Sequence, residues 1–484
     1  MNTAVHENSD VLIINPPWES ALNEYGCRSN TRWPHLRSDK FLLFPIYLAY
    51  TAALVEREGI KTTIIDAVAD DLDSKKFISV VKRKKPKYCF IESSTPTISQ
   101  DLNNAKAVKE NTLSKVFLMG AHPTVFQKEI IMKNPWLDGI IRGEFELTVR
   151  DISCGRDYSN VSGLTYYENN EVVINPERAL ISDLDILPFP AWHLFDLKKY
   201  ESHLYSSPSA LIIATRGCPF HCTYCLWPQV LYGHKQRRRS PHNICNEIEK
   251  LIEMYKIRHV RFDDDTFALN SGYVKDCCRE IIKRKLNKRI TWNCFGHISQ
   301  PDLEMYKLMA KAGCRKIAVG IESGSEKILR IINKKINIKK AKETVSNCRK
   351  AGIEIYCDFM IGFPHETEND ILKSIEMAID LDPDYIQVSY AVPYPGTKMY
   401  NQGIKDNFLR HPRKWQTYAS CEPMIDTGSI SLERIEKLYN EFWYKFYLRP
   451  SYIARNARKA LQSRDNFFKI TKGFVSFFNR FIRR

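Results

Sequence analysis

Short apolar runs alternate with helical patterns over the first 150 residues. These runs lack the polar alternation of half-exposed strands, so they indicate strands buried on both faces. They lie at residues 10–17, 61–67, 88–94, 115–124 and 138–144. Residues 47–59 form a helical stretch that closes on Gly59. The alternation predicts an α/β fold that begins with a doubly wound, Rossmann-like parallel sheet, in which ligands bind at the carboxyl ends of the strands.

A second alternating block starts near Ala210. Most of its apolar runs are separated by helical stretches, and they lie at residues 210–215, 259–264, 289–295, 316–322, 353–363 and 385–392. Such a series predicts a partial (β/α)6 TIM-type barrel with its site at the carboxyl ends of the strands. A hairpin pattern lies at 163–175, before the barrel. We therefore expect an N-terminal domain, a connector, a barrel and a helical, basic C-terminal extension at residues 1–150, 151–204, 205–400 and 401–484.

Composition narrows the class of protein. The chain of 484 residues carries a net charge of +16, and from residue 445 onward it has eleven basic residues against a single acid, Asp465. The first residues show no signal peptide pattern, and the longest apolar run, residues 41–55, is short for a membrane span. Its 14 cysteines then indicate reduced thiols and metal ligation rather than disulfides, and a cytoplasmic protein.

Three cysteines directly follow the first barrel strand. Cys218, Cys222 and Cys225 have the spacing C-x-x-x-C-x-x-C. Three thiolates suit a 4Fe-4S cluster that keeps one iron free for a substrate. The alternative is a zinc knuckle with His221 as the fourth ligand. His221 lies between two of the cysteines, where its ring is hard to bring round to the metal.

The segment "RGCPFHCTYC" resembles the cluster loop of the radical S-adenosylmethionine (SAM) superfamily, including an aromatic residue before the last cysteine. Further matches, "FDDDTF", "GIESGS", "MIGFP" and "PYPGT", follow in order at predicted strand ends, so the resemblance covers roughly residues 205–400. It implies that SAM is bound by Tyr224, Asp263, Asp264, Asp265, Glu322, Ser323, Gly324, Gly362 and Pro364. Alternatively, each aspartate caps a helix, the glutamate pairs with a lysine, and the glycines are turn residues.

The N-terminal segments "NPPW", "SSTPT", "GAHPT" and "RGEFE" resemble the cobalamin-binding domain of the cobalamin-dependent branch of that superfamily. The resemblance implies cobalamin contacts from Ser93, Ser94, Thr95, Gly120, His122, Thr124, Gly143 and Glu144. Many cobalamin domains supply a cobalt ligand from D-x-H-x-x-G, which this sequence lacks. We therefore expect no histidine on cobalt, and a cobalamin-type fold with an empty or repurposed pocket is the alternative.

The resemblance implies a cluster that cleaves SAM to a 5′-deoxyadenosyl radical, which removes hydrogen from an unactivated carbon. Methyl transfer from cobalamin to a small-molecule or lipid-like substrate then follows. A one-electron reductant such as flavodoxin or ferredoxin supplies the electron. The alternatives are a cyclase or oxidative enzyme without methyl transfer, and a non-catalytic metal-binding protein that contacts a membrane or partner.

The last residues form an amphipathic pattern. Over 466–484, an apolar half of the helical circle carries Phe467, Phe468, Ile470, Phe474, Val475, Phe477, Phe478, Phe481 and Ile482. The opposite half carries Lys469, Lys472, Arg480, Arg483 and Arg484. Such a helix docks on the barrel or lies on the inner membrane face as a peripheral contact. Nucleic acid is not an expected partner, because the aromatic and basic residues lie on opposite faces.

Overall fold

The N-terminal half forms a sheet in which buried strands alternate with helices. The computed structural model of the protein describes residues 9–18, 25–27, 35–37, 42–200, 208–419, 422–462 and 470–471. The strands of this half are β1 (Val11–Asn15), β2 (Tyr25–Cys27), β3 (His35–Arg37), β4 (Thr62–Asp66), β5 (Tyr88–Glu92), β6 (Lys115–Met119), β7 (Gly139–Ile141), β8 (Leu164–Glu168) and β9 (Glu171–Ile174). Its helices are α1 (Ile46–Arg57), α2 (Ser74–Lys84), α3 (Ile98–Asn111), α4 (Ala121–Lys133) and α5 (Glu146–Ser153).

The main sheet of this half has the strand order β4-β1-β5-β6-β7-β8-β9 within the described residues. The strands from β4 to β7 pair in parallel, as the unalternating apolar runs predict. The predicted hairpin is confirmed as β8 and β9, which add to the sheet antiparallel to β7. Its turn residues Asn169 and Asn170 have φ values of 50° and 65°, which suit a two-residue hairpin turn.

Strand β6 is shorter than its apolar run predicts. The sequence predicts a strand over residues 115–124, but β6 ends at Met119 and α4 begins at Ala121. Gly120 turns the chain between them with a φ of 114°, a conformation that favours glycine. Pro123 lies in the first turn of the helix, where a missing N–H costs no hydrogen bond. Thus His122 stands on a helix and not on a strand.

The second half forms an open barrel. Its strands are β10 (Ser209–Ile212), β11 (Thr215–Arg216), β12 (Arg237–Arg238), β13 (His259–Phe262), β14 (Thr291–Gly296), β15 (Cys314–Glu322), β16 (Glu354–Ile361) and β17 (Tyr385–Tyr390). Its helices are α6 (Pro241–Tyr255), α7 (Ser271–Lys283), α8 (Leu303–Lys311), α9 (Glu326–Ile331), α10 (Ile338–Ala351) and α11 (Glu368–Leu381). The barrel strands pair in parallel in the order β10-β13-β14-β15-β16-β17, so β10 and β17 are edges within the described residues. This confirms the predicted partial barrel.

The barrel strands separate an apolar outer face from a polar inner face. On β16, Cys357 and Phe359 are fully buried, whereas Tyr356 and Asp358, which alternate with them, are partly exposed. Side chains alternate across a strand, so these two pairs lie on opposite faces of the sheet. The buried pair packs beneath the helices that cover the barrel. The partly exposed pair therefore lines the lumen.

The C-terminal extension packs on the outside of the barrel as far as residue 462. It contains α12 (Lys398–Lys405), α13 (Leu432–Tyr447) and α14 (Pro450–Gln462). On α13 the Phe442 ring packs against Phe359 with a centroid distance of 5.2 Å. The predicted amphipathic helix over 466–484 lies outside the described residues, apart from residues 470–471, which are helical. No helix in the described part of the chain combines the length and apolar character that crossing a membrane requires.

A buried ion cluster joins the two halves. Arg216 on β11 is 1% exposed, and its Nη1 lies 3.2 Å from Glu144 Oε1 and 2.7 Å from Glu146 Oε1. Arg237 on β12 also reaches Glu144, with Nη2 2.8 Å from Oε1. The rings of Tyr47, Tyr50 and Tyr232 surround the Arg216 guanidinium at 5.1–5.9 Å. Because Arg216 directly precedes the predicted cluster loop, this junction fixes the start of that loop against the N-terminal sheet.

Replacing Arg216 with methionine is expected to destabilise the protein strongly. The variant leaves Glu146 buried without its cation, and breaking one side of a buried ion pair costs about 3–5 kcal/mol. We expect the free energy of unfolding in urea to fall by that amount. The control is Arg330→Met, because Arg330 and its partner Glu326 are each 76% exposed and such surface pairs contribute about 0–1 kcal/mol. An equal decrease in the free energy of unfolding in the two variants would contradict the proposed contribution of the junction to stability.

Candidate functional site

Backbone hydrogen bonds fix the loop that carries the three cysteines. At its start, the Gly217 N–H donates to Asp265 Oδ2 at 2.7 Å. Further along, the Gln229 side-chain amide donates to the carbonyl oxygens of Cys225 at 2.6 Å and Cys222 at 3.2 Å. These bonds involve the backbone of the loop rather than its thiols. These contacts therefore hold the backbone of the loop in a defined conformation.

The three thiols are sheltered from water and lie close enough to influence one another. Burial raises the pKa of Cys218 to about 11. It also raises the pKa of Cys225, to which the charge of Asp265 and the other two cysteines add. Among the described residues, no three Cys, His, Asp or Glu side chains are arranged to hold a metal ion. The 4Fe-4S cluster on these three cysteines, rather than the zinc knuckle with His221, stays the prediction.

The three aspartates that follow β13 contact the protein itself. Asp264 Oδ1 accepts hydrogen bonds from the N–H groups of residues 214–215 at 2.7 and 2.8 Å, just before the cysteine loop. Asp265 accepts from the first N–H of that loop, and Asp263 pairs with Arg261 at 2.9 Å. The geometry therefore supports a positioning role for Asp264 and Asp265. Their contact with the SAM amine stays a prediction.

Glu322 lies at the end of β15 in a constrained environment. Its φ of 68° is unusual for a residue with a side chain. Its Oε1 lies 3.0 Å from Lys334 Nζ, and both side chains are largely buried. A Cβ at Gly320 would collide with both groups, so glycine at this position makes room for the ion pair. Burial and the nearby Glu322 carboxylate raise the pKa of Tyr224, so the two side chains lie close together. Two residues predicted from separate motifs thus meet beside the cysteines.

Ser323 and Gly324 are held against α11. The Gly324 N–H donates to Ser374 Oγ at 2.9 Å, and Ser323 Oγ lies 3.2 Å from the same oxygen. A Cβ at Gly324 would collide with the Lys373 backbone carbonyl. Close packing of the backbone therefore accounts for this glycine, and its approach to SAM stays a prediction.

The turn after β16 is open on one side. Gly362 has a φ of 81°, and a Cβ there would meet no atom within 4 Å. Its N–H and that of Phe363 donate to Glu366 Oε2 at 2.6 and 3.1 Å. Burial raises the pKa of Glu366 to about 8. The backbone before Pro364 is thus fixed on one side and accessible on the other, which suits the predicted SAM contact.

Sequence reasoning missed Asp358. This residue faces the lumen of the barrel from β16, beside Gly320 on β15 and Gln387 on β17. Burial and then the charge of Glu322 raise the pKa of Asp358 to about 8. Asp358 could have been identified from the sequence as a charged residue inside the apolar run 353–363. Its position alternates with buried residues.

In the N-terminal sheet, the hydroxyls that follow β5 share a buried carboxylate. Ser93 Oγ and Thr97 Oγ1 donate to Asp101 Oδ2 at 2.7 and 2.6 Å. Ser94 Oγ lies 2.9 Å from Thr97 Oγ1, and Thr95 Oγ1 lies 3.3 Å from His122 Nδ1. Asp101 therefore orders the strand end that the resemblance assigns to cobalamin.

The two glycines predicted at this edge differ. A Cβ at Gly120 would collide with the carbonyl of the neighbouring strand, so packing alone explains that glycine. At Gly143, with φ of 64°, a Cβ would meet no atom within 4 Å, and Thr124 Oγ1 accepts its N–H at 3.1 Å. Gly143 therefore suits the close approach of a flat ligand. Both carboxylate oxygens of Glu144 accept hydrogen bonds from arginine at the junction, which favours an interdomain role over a cobalamin contact.

His122 is packed between aromatic rings. It is 3% exposed, and its ring centroid lies 4.8 Å from that of Phe126 and 4.9 Å from that of Trp415. Burial lowers the pKa of His122 to about 3, so the imidazole is neutral at pH 7. One ring nitrogen is within hydrogen-bond distance of Thr95. The geometry favours a packing role for this ring over cobalt ligation.

Comparisons with known proteins agree with both predicted halves. The family model described as the radical SAM superfamily matches residues 212–378, and that described as the B12 binding domain matches residues 35–153. The chain is 31% identical over 451 residues to the uncharacterized methyltransferase PH0819 of Pyrococcus horikoshii, covering 92% of this chain and 94% of that protein. It is 26% identical over 452 residues to the anaerobic magnesium-protoporphyrin IX monomethyl ester cyclase of Cereibacter sphaeroides, covering 90% and 70%.

A solved structure shares the fold. The cobalamin-dependent S-adenosylmethionine radical enzyme OxsB, with aqua-cobalamin bound, superimposes with a TM-score of 0.71 at 14% identity. The match covers 97% of this chain and 71% of OxsB. Both predicted halves and the extension therefore take part in the likeness.

Each of the three loop cysteines is expected to be required for the iron cluster. Anaerobic reconstitution should load about four irons per chain, and Cys218→Ala, Cys222→Ala or Cys225→Ala should remove one of three ligands and prevent stable loading. Iron analysis and the visible absorption spectrum measure this. Cys245→Ala is the control, because Cys245 is a buried residue of α6 outside the loop. Full iron content in a triple loop variant would refute the assignment.

Cobalt is expected to have no histidine ligand. Protein loaded with cobalamin and reduced to the cob(II)alamin state should show an electron paramagnetic resonance spectrum without nitrogen splitting from a protein histidine. The His122→Ala variant should give the same spectrum, because this imidazole packs between Phe126 and Trp415. Nitrogen splitting that disappears in the variant would show that His122 binds cobalt. Failure to retain cobalamin at all would favour the empty-pocket alternative.

Proposed function

The chain belongs to the cobalamin-dependent radical SAM enzyme family, and we propose that it is a methyltransferase acting on an unactivated carbon. Its cofactors are a 4Fe-4S cluster, SAM and cobalamin. When bound, the cluster supplies the electron that cleaves SAM, and cobalamin supplies the methyl group. The protein's own part is to hold these groups in a fixed arrangement and to exclude water.

The cluster site is assigned to the cysteine loop at the carboxyl end of the barrel. Cys218, Cys222 and Cys225 are its ligands in this proposal. Asp264 and Asp265 position the loop through backbone N–H groups, and Gln229 holds its carbonyl oxygens. Rigid support of this kind is what a ligand set needs to keep one iron accessible.

SAM is proposed to bind between the cluster and the ends of β13, β15 and β16. The lining residues in this proposal are those of the barrel motifs, Tyr224, Asp263, Asp264, Asp265, Glu322, Ser323, Gly324, Gly362 and Pro364. Support is strongest for Glu322, whose carboxylate meets Tyr224 of the cysteine loop and Lys334 in a buried pair. A carboxylate in this position can accept a hydrogen bond from a hydroxyl or amine of SAM.

Cobalamin is proposed to lie at the carboxyl edge of the N-terminal sheet. Ser93, Ser94, Thr95, Gly120, His122, Thr124, Gly143 and Glu144 mark that edge. Gly143 gives the clearest support, because open space surrounds it and the next residue, Glu144, belongs to the junction. Glu144 then acts on cobalamin indirectly, by fixing this turn.

The observation that carries the proposal is the junction itself. Arg216 immediately precedes the cluster loop, and Glu144 immediately follows the open turn at Gly143. One buried ion pair therefore connects the two proposed cofactor sites: Arg216 is two positions before Cys218, and Glu144 directly follows Gly143. A substrate between them would meet both cofactors, as methylation through a substrate radical requires.

Ring formation is the second candidate. Its support is the 26% identity to an anaerobic cyclase, which covers 90% of this chain. No feature of the site favours ring formation as much as this likeness does. In that case the enzyme forms the same 5′-deoxyadenosyl radical, but no methyl group is transferred to the product. The two functions differ in the mass of the product and not in SAM cleavage.

A small-molecule substrate and an electron donor are general requirements of this family. Beyond that, we propose flavodoxin or ferredoxin as the donor and a cytoplasmic site of action, where such donors and reduced thiols occur together.

A lipid-like substrate is proposed only together with membrane contact by residues 466–484. Anionic vesicles that retain the full chain but not a chain ending at 465 would support that contact.

Labelled methyl groups separate the candidates. Reconstituted protein with a reductant should convert SAM to 5′-deoxyadenosine. In the host organism fed with methyl-labelled methionine, profiling of metabolites and lipids should reveal a product that carries the labelled methyl group and is missing from a deletion strain. A product that differs by loss of hydrogen and carries no label would indicate the cyclase. Absence of SAM cleavage from fully iron-loaded protein would instead support the non-catalytic alternative.

A further inference from the structure

A segment of the C-terminal extension crosses back to the N-terminal half. Arg413 Nη1 lies 2.9 Å from Glu129 Oε1 on α4, and its guanidinium lies 6.0 Å from the ring centre of Phe126. Trp415 follows in a short 3-10 helix, Trp415–Ala419. Its indole contacts His122 at 4.9 Å and Phe126 at 5.3 Å between ring centroids. An aromatic ring from the far end of the sequence thus stands on the first turn of α4.

This position is the edge assigned to cobalamin. The His122 ring that Trp415 touches is within hydrogen-bond distance of Thr95, in the hydroxyl-rich turn after β5. That turn, Thr95–Thr97, lies directly against the 3-10 helix of Trp415. Trp415 is only partly buried.

The rest of the segment is fixed to the barrel side. The Tyr418 side chain is 0% exposed, and its hydroxyl donates to the Pro412 carbonyl at 3.2 Å. Tyr400 on α12 donates to the same carbonyl at 3.1 Å, and Tyr394 donates to the Tyr418 carbonyl at 3.1 Å. The barrel therefore holds the segment in place, and Trp415 projects from a preformed support rather than from a free chain.

Cobalamin carries a flat aromatic base, dimethylbenzimidazole, at the end of its nucleotide arm. A base of this kind gains most from a flat ring against which it stacks. We propose that Trp415 forms part of the cobalamin site and contacts the dimethylbenzimidazole base. The inference rests on the proposed cobalamin site and adds a residue that only the folded chain brings to it. The C-terminal extension then has a role in cofactor binding as well as in covering the barrel.

Two corrinoids test this directly. Hydroxocobalamin carries the base, whereas cobinamide has the same corrin ring without it. Trp415→Leu keeps apolar bulk but removes the flat ring, and we expect it to weaken hydroxocobalamin binding by about tenfold and cobinamide binding by less than about twofold. Trp415→Phe should restore most of the difference, because it retains a ring. Equilibrium binding followed by visible absorption measures the affinity of the unaltered protein and of both variants for each corrinoid, and circular dichroism checks that the variants fold.

The outcomes are distinct. Equal weakening of both corrinoids would mean that Trp415 only supports the packing of α4, and would overturn the inference. Unchanged affinity for both would overturn it as well, and would leave the proposed cobalamin site intact. If the unaltered protein bound neither corrinoid, the cobalamin site itself would fail and the inference with it.

Discussion

The buried contact of Arg216 with Glu144 and Glu146 is the constraint on which both proposed sites depend. Three charged groups stand in a region almost without solvent, so none of them is stable there alone. Burial raises the pKa of Glu146, and the attraction of Arg216 opposes that rise. The tyrosine rings around the guanidinium add a favourable contact with a cation. The two halves are thus held at one relative position by groups that lose most of their stabilisation if they separate.

Backbone conformation also shapes the end of β15 beside the cysteine loop. Gly320 leaves space that the Glu322–Lys334 pair fills, and Glu322 itself adopts a positive φ. A non-glycine residue in that region is strained and persists only when its surroundings determine it. Here the surroundings are a buried ammonium and the Tyr224 hydroxyl from the cysteine loop. The strain therefore couples the end of β15 to the loop that holds the cluster ligands.

Local patterns predicted the parts that depend on local chemistry. The apolar runs located the strands, and the cysteine spacing located the loop, because both are properties of a few neighbouring residues. The roles of Asp264 and Asp265 were not predictable from the sequence. Their carboxylates accept hydrogen bonds from backbone N–H groups 48 to 50 residues away. In a sequence, such an aspartate cannot be distinguished from one that binds a ligand. Trp415 was missed for the same reason: its contact with His122 joins residues nearly three hundred positions apart. Strand β6 was overestimated because Gly120 turns the chain directly into α4, and a single glycine after an apolar run does not mark such a turn in the sequence.

The lumen of the barrel shows how such long-range contacts set the electrostatics of a site. Arg261 pairs with Asp263, and Lys334 pairs with Glu322, so these four charges balance. Asp358 lies among them with a pKa raised to about 8 by burial and by Glu322, so it is mostly neutral at pH 7. A cation that entered this space would favour the ionised form of the carboxylate and lower that pKa. The pKa of Asp358 therefore depends on charged groups that only the folded chain brings together, which the sequence around Asp358 does not reveal.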